Sequence, residues 1–232
     1  TIMEDLEIED ITAETAMLAL VGPDAGKLLD LTPAQLSPDS IAVHSVRLGG
    51  FDSTAMEQPF GSLSRYWLIA TPDAAVGLWQ HLTEYGAVPL GANAMEAVRV
   101  NFGVPEYGPE LGEPYNPLEA GLIGSVDFAK GCYIGQEVIA RLDSYKKVQK
   151  YLVSLSFDAG TEVSPGEELL HDGQPVGMIT SVTPEPLNGL LKGLGYVKSA
   201  NATAGTRLEV AGQKKASAEI VALALPFGPA KD

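Results

Sequence analysis

The stretch Leu63-Ser-Arg-Tyr-Trp-Leu-Ile-Ala-Thr-Pro-Asp-Ala-Ala-Val-Gly-Leu-Trp-Gln-His-Leu-Thr-Glu-Tyr-Gly86 reads as one strand feeding one helix. Residues 63–70 are a short apolar and aromatic run of strand length. Thr71-Pro72-Asp73 then opens a helix, with Thr71 as N-cap, Pro72 at the first helical position and an early carboxylate at the positive end of the dipole. Gly86 ends it near Tyr85.

Upstream, residues 41–48 alternate, Ile41, Val43 and Ser45 against Ala42, His44 and Val46, as a strand with two faces. The polar, glycine-bearing residues 49–61 read as a loop. Residues 17–21 form a short apolar strand, preceded by an edge strand at 6–11, and Gly22-Pro23-Asp24 opens a helix through Leu31. Downstream, residues 87–90 complete the set. The order strand, helix, strand, strand, helix, strand is that of a ferredoxin-like split βαβ core, with two helices on one face of an antiparallel sheet. Trp67 and Trp79 then read as strand and helix residues packed together in the core.

Asn93-Ala-Met-Glu96 has the form of a capping box, with its helix running to about Phe102, where Gly103 and Pro105 stop it. Residues 104–116 are turn-rich and aperiodic, hence loop. Gly135 precedes a short helix. Beyond Lys150 the pattern changes: Tyr151, Val153, Leu155 and Phe157 alternate, Asp172-Gly173 and Ala211-Gly212 mark hairpin turns, and no helix follows. The expected organisation is therefore α+β: 1–91 ferredoxin-like, 92–150 the remainder of an α+β core, 151–227 a small β-domain, and 228–232 a tail.

The bulk composition supports a packed globule. The chain has 232 residues, 45% of them hydrophobic, and a formal charge of −15. Disorder and collagen-like repeats are excluded by that apolar content and the absence of a glycine period. A negative field of this size disfavours duplex nucleic acid and anionic membrane as direct ligands. No apolar run approaches the ~18 residues of a membrane span, and the acidic opening is unlike a targeting leader. One cysteine forms no internal disulfide, which fits a reducing compartment.

Positive charge is concentrated between Lys130 and Lys150, where five cations (Lys130, Arg141, Lys146, Lys147, Lys150) face two acids (Glu137, Asp143). That island is either a docking point for an anion or a solvated helix face. Cys132 lies inside it, in Lys130-Gly131-Cys132-Tyr133-Ile134-Gly135-Gln136-Glu137. A helix N-terminus and a nearby lysine favour a thiolate; a lone cysteine is also a common small buried hydrophobe. Glu119, among small and apolar neighbours, is either an exposed loop acid or a buried one needing a partner such as Arg99, Lys130 or Arg141. His44, His81 and His171 lie on unrelated elements, so no metal site is expected. The common nucleotide-binding, hydrolase and metalloprotease motifs are absent.

Asn116-Pro-Leu-Glu-Ala-Gly-Leu122 followed by Lys130-Gly-Cys-Tyr-Ile-Gly-Gln-Glu137 resembles the YgfZ family of folate-binding proteins, relatives of the glycine cleavage T-protein (aminomethyltransferase). Arg99 with Gly103-Val-Pro105, Asp172-Gly173, Val176-Gly177, Thr180-Ser181 and Leu225-Pro226-Phe227 fit the same pattern. The resemblance implies interleaved α+β units and a C-terminal β-barrel around a hole holding tetrahydrofolate or a one-carbon derivative. It implies Cys132 as the functional thiol, with Lys130, Gly131, Tyr133, Gly135, Gln136 and Glu137 completing the motif. Arg99, Asn101, Glu119, Tyr133 and Arg141 become the cofactor-binding residues. Relatives carry Glu where Asn101 stands, so the uncharged amide implies a weakened pterin contact. Implied partners are a reduced folate, iron–sulfur client enzymes including tRNA-thiolating ones, and an N-terminal portion that the family carries beyond this sequence, with no nucleic acid and no membrane. The implied role is that of a cytoplasmic accessory protein. The alternative is a tetrahydrofolate-dependent aminomethyltransferase.

Overall fold

The computed structural model describes residues 7–31, 41–145, 148–158, 160–211 and 216–224. Leu6, Lys146, Lys147, Gly212, Leu225-Pro226-Phe227 and the 228–232 tail lie outside them. The chain divides into two compact units, one reaching Pro89 and the other beginning at Leu90.

The first unit contains β1 (Ala16–Val21), α1 (Ala25–Leu28), β2 (Ala42–Leu48), β3 (Phe51–Phe60), β4 (Leu63–Ala70) and α2 (Pro72–Glu84). Its sheet has the order β1-β4-β3-β2, with every neighbouring pair antiparallel. Residues 49–61, expected as a loop, are instead mostly β3. Gly49 and Gly50 at φ 57° and 89° make a tight turn, and the ten residues that follow pair along both sides. The alternation is real but is carried by small and polar residues: Ser53, Ala55 and Glu57 are buried on one face.

Three other expectations are corrected. Residues 87–90 form no strand; the Ala87 N–H instead closes onto the Leu82 carbonyl as the helix exits. Residues 7–11 are irregular and lead into a single 3₁₀ turn at Thr12–Glu14. The first helix is one turn, starting after Asp24 rather than at Pro23, and Asp30 at φ 55° takes the chain out of it. Thr71 caps α2 as expected, accepting the Ala74 N–H at 3.4 Å. The core is Ala25, Leu29, Val46, Ala55, Tyr66, Leu68 and Leu82, between one sheet face and the helices.

The second unit holds α3 (Ala92–Asn101), a long irregular connection, α4 (Gln136–Tyr145) and strands β5 (Lys150–Phe157), β6 (Glu168–His171), β7 (Gln174–Val182), β8 (Lys192–Lys198), β9 (Arg207–Val210) and β10 (Ser217–Leu223). The six strands close into a barrel in the order β10-β5-β8-β7-β6-β9. This is the α+β arrangement ending in a β-barrel that the sequence indicates. Asp172 and Gly173, at φ 51° and 71°, form the two-residue turn between β6 and β7. Val153, Leu155 and Phe157 fill the barrel with Leu169, Ile179, Val197, Leu208 and Ile220. Leu152, on the other face of β5, joins Val100, Ala120, Leu194, Tyr196 and Ala224 in a second cluster that seats α3 against the barrel wall. The N-cap of α3 is Gly91, not Asn93, because the Glu96 carboxylate is engaged by Arg99 instead of reaching back. No helix among the described residues is long and apolar enough to cross a membrane.

Candidate functional site

Arg99 is buried in the last turn of α3. Its Nε and Nη2 donate to the two oxygens of Glu96 at 2.6 and 2.7 Å, and Nη1 donates to Glu110 Oε2 at 2.9 Å. Nη2 also reaches Ser181 Oγ of β7 at 2.7 Å, and Glu106 lies 3.0 Å from Nε. The Ser181 hydroxyl in turn donates to Glu110 Oε1 at 2.6 Å, and the Tyr196 hydroxyl donates to the Glu110 carbonyl at 2.9 Å. Burial pulls the Arg99 pKa down, but the Glu96 hydrogen bonds and the charges of Glu110 and Glu106 outweigh it and raise it. Arg99 thus stays charged, and fully buried Glu110 has its compensating cation.

Glu119 is buried, but none of its three expected cationic partners meets it. Its carboxylate accepts the Asn116 N–H at 3.2 Å, while Asn116 Oδ1 accepts the Glu119 N–H at 3.0 Å. The pair is a local reciprocal cap on the Asn-Pro-Leu-Glu turn, and the Glu119 carbonyl ties that turn to Leu152 of β5 at 2.9 Å. Beside it, Tyr115 stacks on Tyr196 at 3.8 Å between ring centroids, with Lys150 Nζ 4.3 Å over Tyr115. Desolvation, with the carboxylates of Glu110 and Glu119, pushes both phenols upward.

The 130–137 motif closes on itself. Lys130 Nζ lies 5.0 Å from the Tyr133 ring centroid, and the Tyr133 N–H donates to Gln136 Oε1 at 3.1 Å, so the first residue of α4 caps its own entrance. Gly135 at φ 92° supplies the left-handed step that turns the chain into α4. Cys132, between Gly131 and Tyr133, is exposed. Of its two open readings, the buried hydrophobe is thereby excluded. Asn101, Glu137 and Arg141 are exposed. The structure therefore joins Arg99 to Glu96, Glu106, Glu110 and Ser181, joins Tyr133 to both Lys130 and Gln136, and pairs Glu119 with Asn116.

Trp67 is not a core residue and does not belong to a pair with Trp79, which is itself 48% exposed. Strand parity puts Tyr66 and Leu68 in the core and Trp67 on the opposite, outer face of the sheet. Its Nε1 donates to Gln58 Oε1 at 3.2 Å. Arg65 Nη2 donates to the same oxygen, and the guanidinium carbon lies 4.5 Å from the Trp67 ring centroid and 5.0 Å from that of Phe60. Arg65 Nε is buried without an acceptor. The alternation of residues 63–70 carried the signal that would have found this group.

The N-terminal domain of the GCVT family matches residues 1–130, and the glycine cleavage T-protein C-terminal barrel domain matches residues 150–227. The chain belongs to the glycine cleavage T-protein family. It is 35% identical to a chloroplastic protein of Arabidopsis thaliana that carries a transferase name, over 89% of this chain and 48% of that one. It is 30% identical to an aminomethyltransferase of Caldanaerobacter subterraneus subsp. tengcongensis, over 88% of this chain and 56% of the relative. The chain thus spans about half the length of these curated relatives. In fold it matches the crystal structure of the glycine cleavage system aminomethyltransferase T from Bartonella henselae, with TM-score 0.70 and 20% identity, covering 92% of this chain and 60% of that one.

Proposed function

We propose that this T-protein-family chain is a tetrahydrofolate-binding accessory protein of the YgfZ type, acting in the cytoplasm on iron–sulfur client enzymes, tRNA-thiolating ones among them, through Cys132. The observation that carries this reading is the exposed thiol in Lys130-Gly-Cys-Tyr-Ile-Gly-Gln-Glu137, held on the turn into α4 beside Lys130. A thiol in that setting meets a second macromolecule without any rearrangement of a core.

The folate part of the proposal is supported by the outer face of the first unit's sheet, where an aromatic platform and an incompletely satisfied cation suit a flat anionic ligand. Arg99 and Glu119, engaged by internal partners, would act by positioning. When bound, a reduced folate supplies one-carbon carriage. The test is complementation of a strain lacking the protein, scored by iron–sulfur enzyme activity. Wild type restores it, Cys132→Ala does not, and full rescue by Cys132→Ala overturns the reading.

The names of the curated relatives favour a second reading, a tetrahydrofolate-dependent aminomethyltransferase. Production of methylenetetrahydrofolate from an aminomethylated lipoyl carrier, retained by Cys132→Ala, selects it over the first.

A further inference from the structure

Among the described residues Arg65 is a cation without a counter-ion. Thirty residues of this chain are Asp or Glu, yet among the described residues none of them pairs with Arg65, whose hydrogen-bond acceptor is the neutral Gln58. Its cross-strand neighbours in the sheet are Gln58 on β3 and Val21 on β1, both uncharged. The guanidinium is stacked against Trp67 and Phe60 and fixed by Gln58, while its Nε–H points at no acceptor. Burial shifts its pKa down, so the surroundings oppose the charge they hold. A half-buried cation with donors to spare is costly unless an anion completes it.

Arg47, on the same face near the β2–β3 turn, is the internal contrast. It is bound by both oxygens of Asp52 at 3.0 Å, and the cleft of about 470 Å³ beside it, lined by Ser45, Asp52 and Thr54, holds no unmet charge. Around Arg65 the outer face continues as an apolar surface. Trp67 stands opposite Met56 and Ala19, and the exposed Met17 and Val43 extend it.

We propose that Arg65, with Gln58 and Trp67, forms the subsite for a carboxylate on a flat aromatic ligand whose ring lies along this apolar face. The proposal rests on the folate reading and names the part of the ligand concerned: the glutamyl carboxylates. The guanidinium carbon lies 4.5 Å from the Trp67 ring centroid, so a carboxylate held by Arg65 stands at the edge of the Trp67 ring, and a ring joined to it through a short linker lies along the neighbouring apolar face. Stacking holds the planar fork before the ligand arrives, which lowers the ordering cost of a two-point contact.

The test measures calorimetric binding of 5-formyltetrahydrofolate and of its glutamate diester to the 232-residue chain, to Arg65→Met and to Arg65→Lys. Wild type binds the diacid at least about tenfold more tightly than the diester. Arg65→Met loses about tenfold for the diacid and leaves the diester unchanged, while Arg65→Lys keeps part of the preference. Equal binding of diacid and diester by wild type overturns the subsite and leaves the folate reading standing. So does an equal loss for both compounds in Arg65→Met, since that marks a purely structural arginine. Binding of neither compound to wild type overturns the folate reading and the subsite with it.

Discussion

The Arg99 guanidinium meets the Ser181 hydroxyl, 82 positions further along the chain, at 2.7 Å, and that hydroxyl in turn donates a hydrogen bond to Glu110 at 2.6 Å. One oxygen thus links the end of a helix, an irregular loop and a barrel strand, with all three groups out of water. Removing it leaves donors on Arg99 and an acceptor on Glu110 unmet.

Ser181→Ala is therefore expected to cost about 1–3 kcal/mol of unfolding free energy. Glu110→Ala, which leaves Arg99 deprived of its most buried partner, is expected to cost about 3–5 kcal/mol. Urea denaturation followed by circular dichroism checks both, and a loss for Glu110→Ala no greater than for Ser181→Ala contradicts the account of Glu110 as the principal counter-ion.

Tyr66 has its pKa pushed from 10.0 up to about 12, by burial first and then by the neighbouring Glu57 carboxylate. Burial raises Tyr115 and Tyr196 as well. A phenol with a higher pKa folded than unfolded holds its proton more tightly in the native state. Its contribution is complete below pH 10 and is lost as pH climbs toward 12. Stability should accordingly be level on the acid side of that window and fall through it, with three of the eight tyrosines ionising late in an ultraviolet titration. Tyr66→Phe should remove part of the fall.

Because Cys132 is exposed, one thiol equivalent should react with a chromogenic disulfide reagent in the native protein, with no further equivalent released by denaturant. Cys132→Ala should change stability by less than about 0.5 kcal/mol, since no packing is lost. A thiol that reacts only after unfolding contradicts its placement.

A methyl group added at Gly177 on β7 would stand 2.3 Å from the Tyr196 carbonyl, on backbone that cannot step aside. Gly177→Ala is expected to cost about 1–3 kcal/mol. Gly131→Ala, with open space around it, should cost far less. Thermal melts of the two variants side by side make the comparison.

What the sequence displayed and what it hid divide along physical lines. The β4–α2 unit announces itself because its strand is apolar and its helix is capped by Thr71 and closed at Gly86, all local signals. The hairpin at Asp172-Gly173 is equally local. Strand β3 was hidden because its inward positions are Ser53, Ala55 and Glu57, too small or too polar to register as a buried face; the pairing of β2 and β4 on its flanks defines it. The partners of Arg99 were hidden for another reason. Glu106 and Glu110 sit in an aperiodic loop, and Ser181 is brought in only by barrel closure. Cys132 was legible as a residue of interest, but its exposure depends on the backbone turn and had no counterpart in composition.

The barrel is a ring in which every strand has two neighbours, whereas among the described residues the sheet of the first unit ends at β1 and β2, each hydrogen-bonded to one neighbouring strand. A ring offers no main-chain groups to an incoming strand; an open sheet offers two rows of them. Insertions or destabilising changes in this protein should therefore promote aggregation through the first unit, and an added β-strand tag would have to be accommodated at β1 or β2.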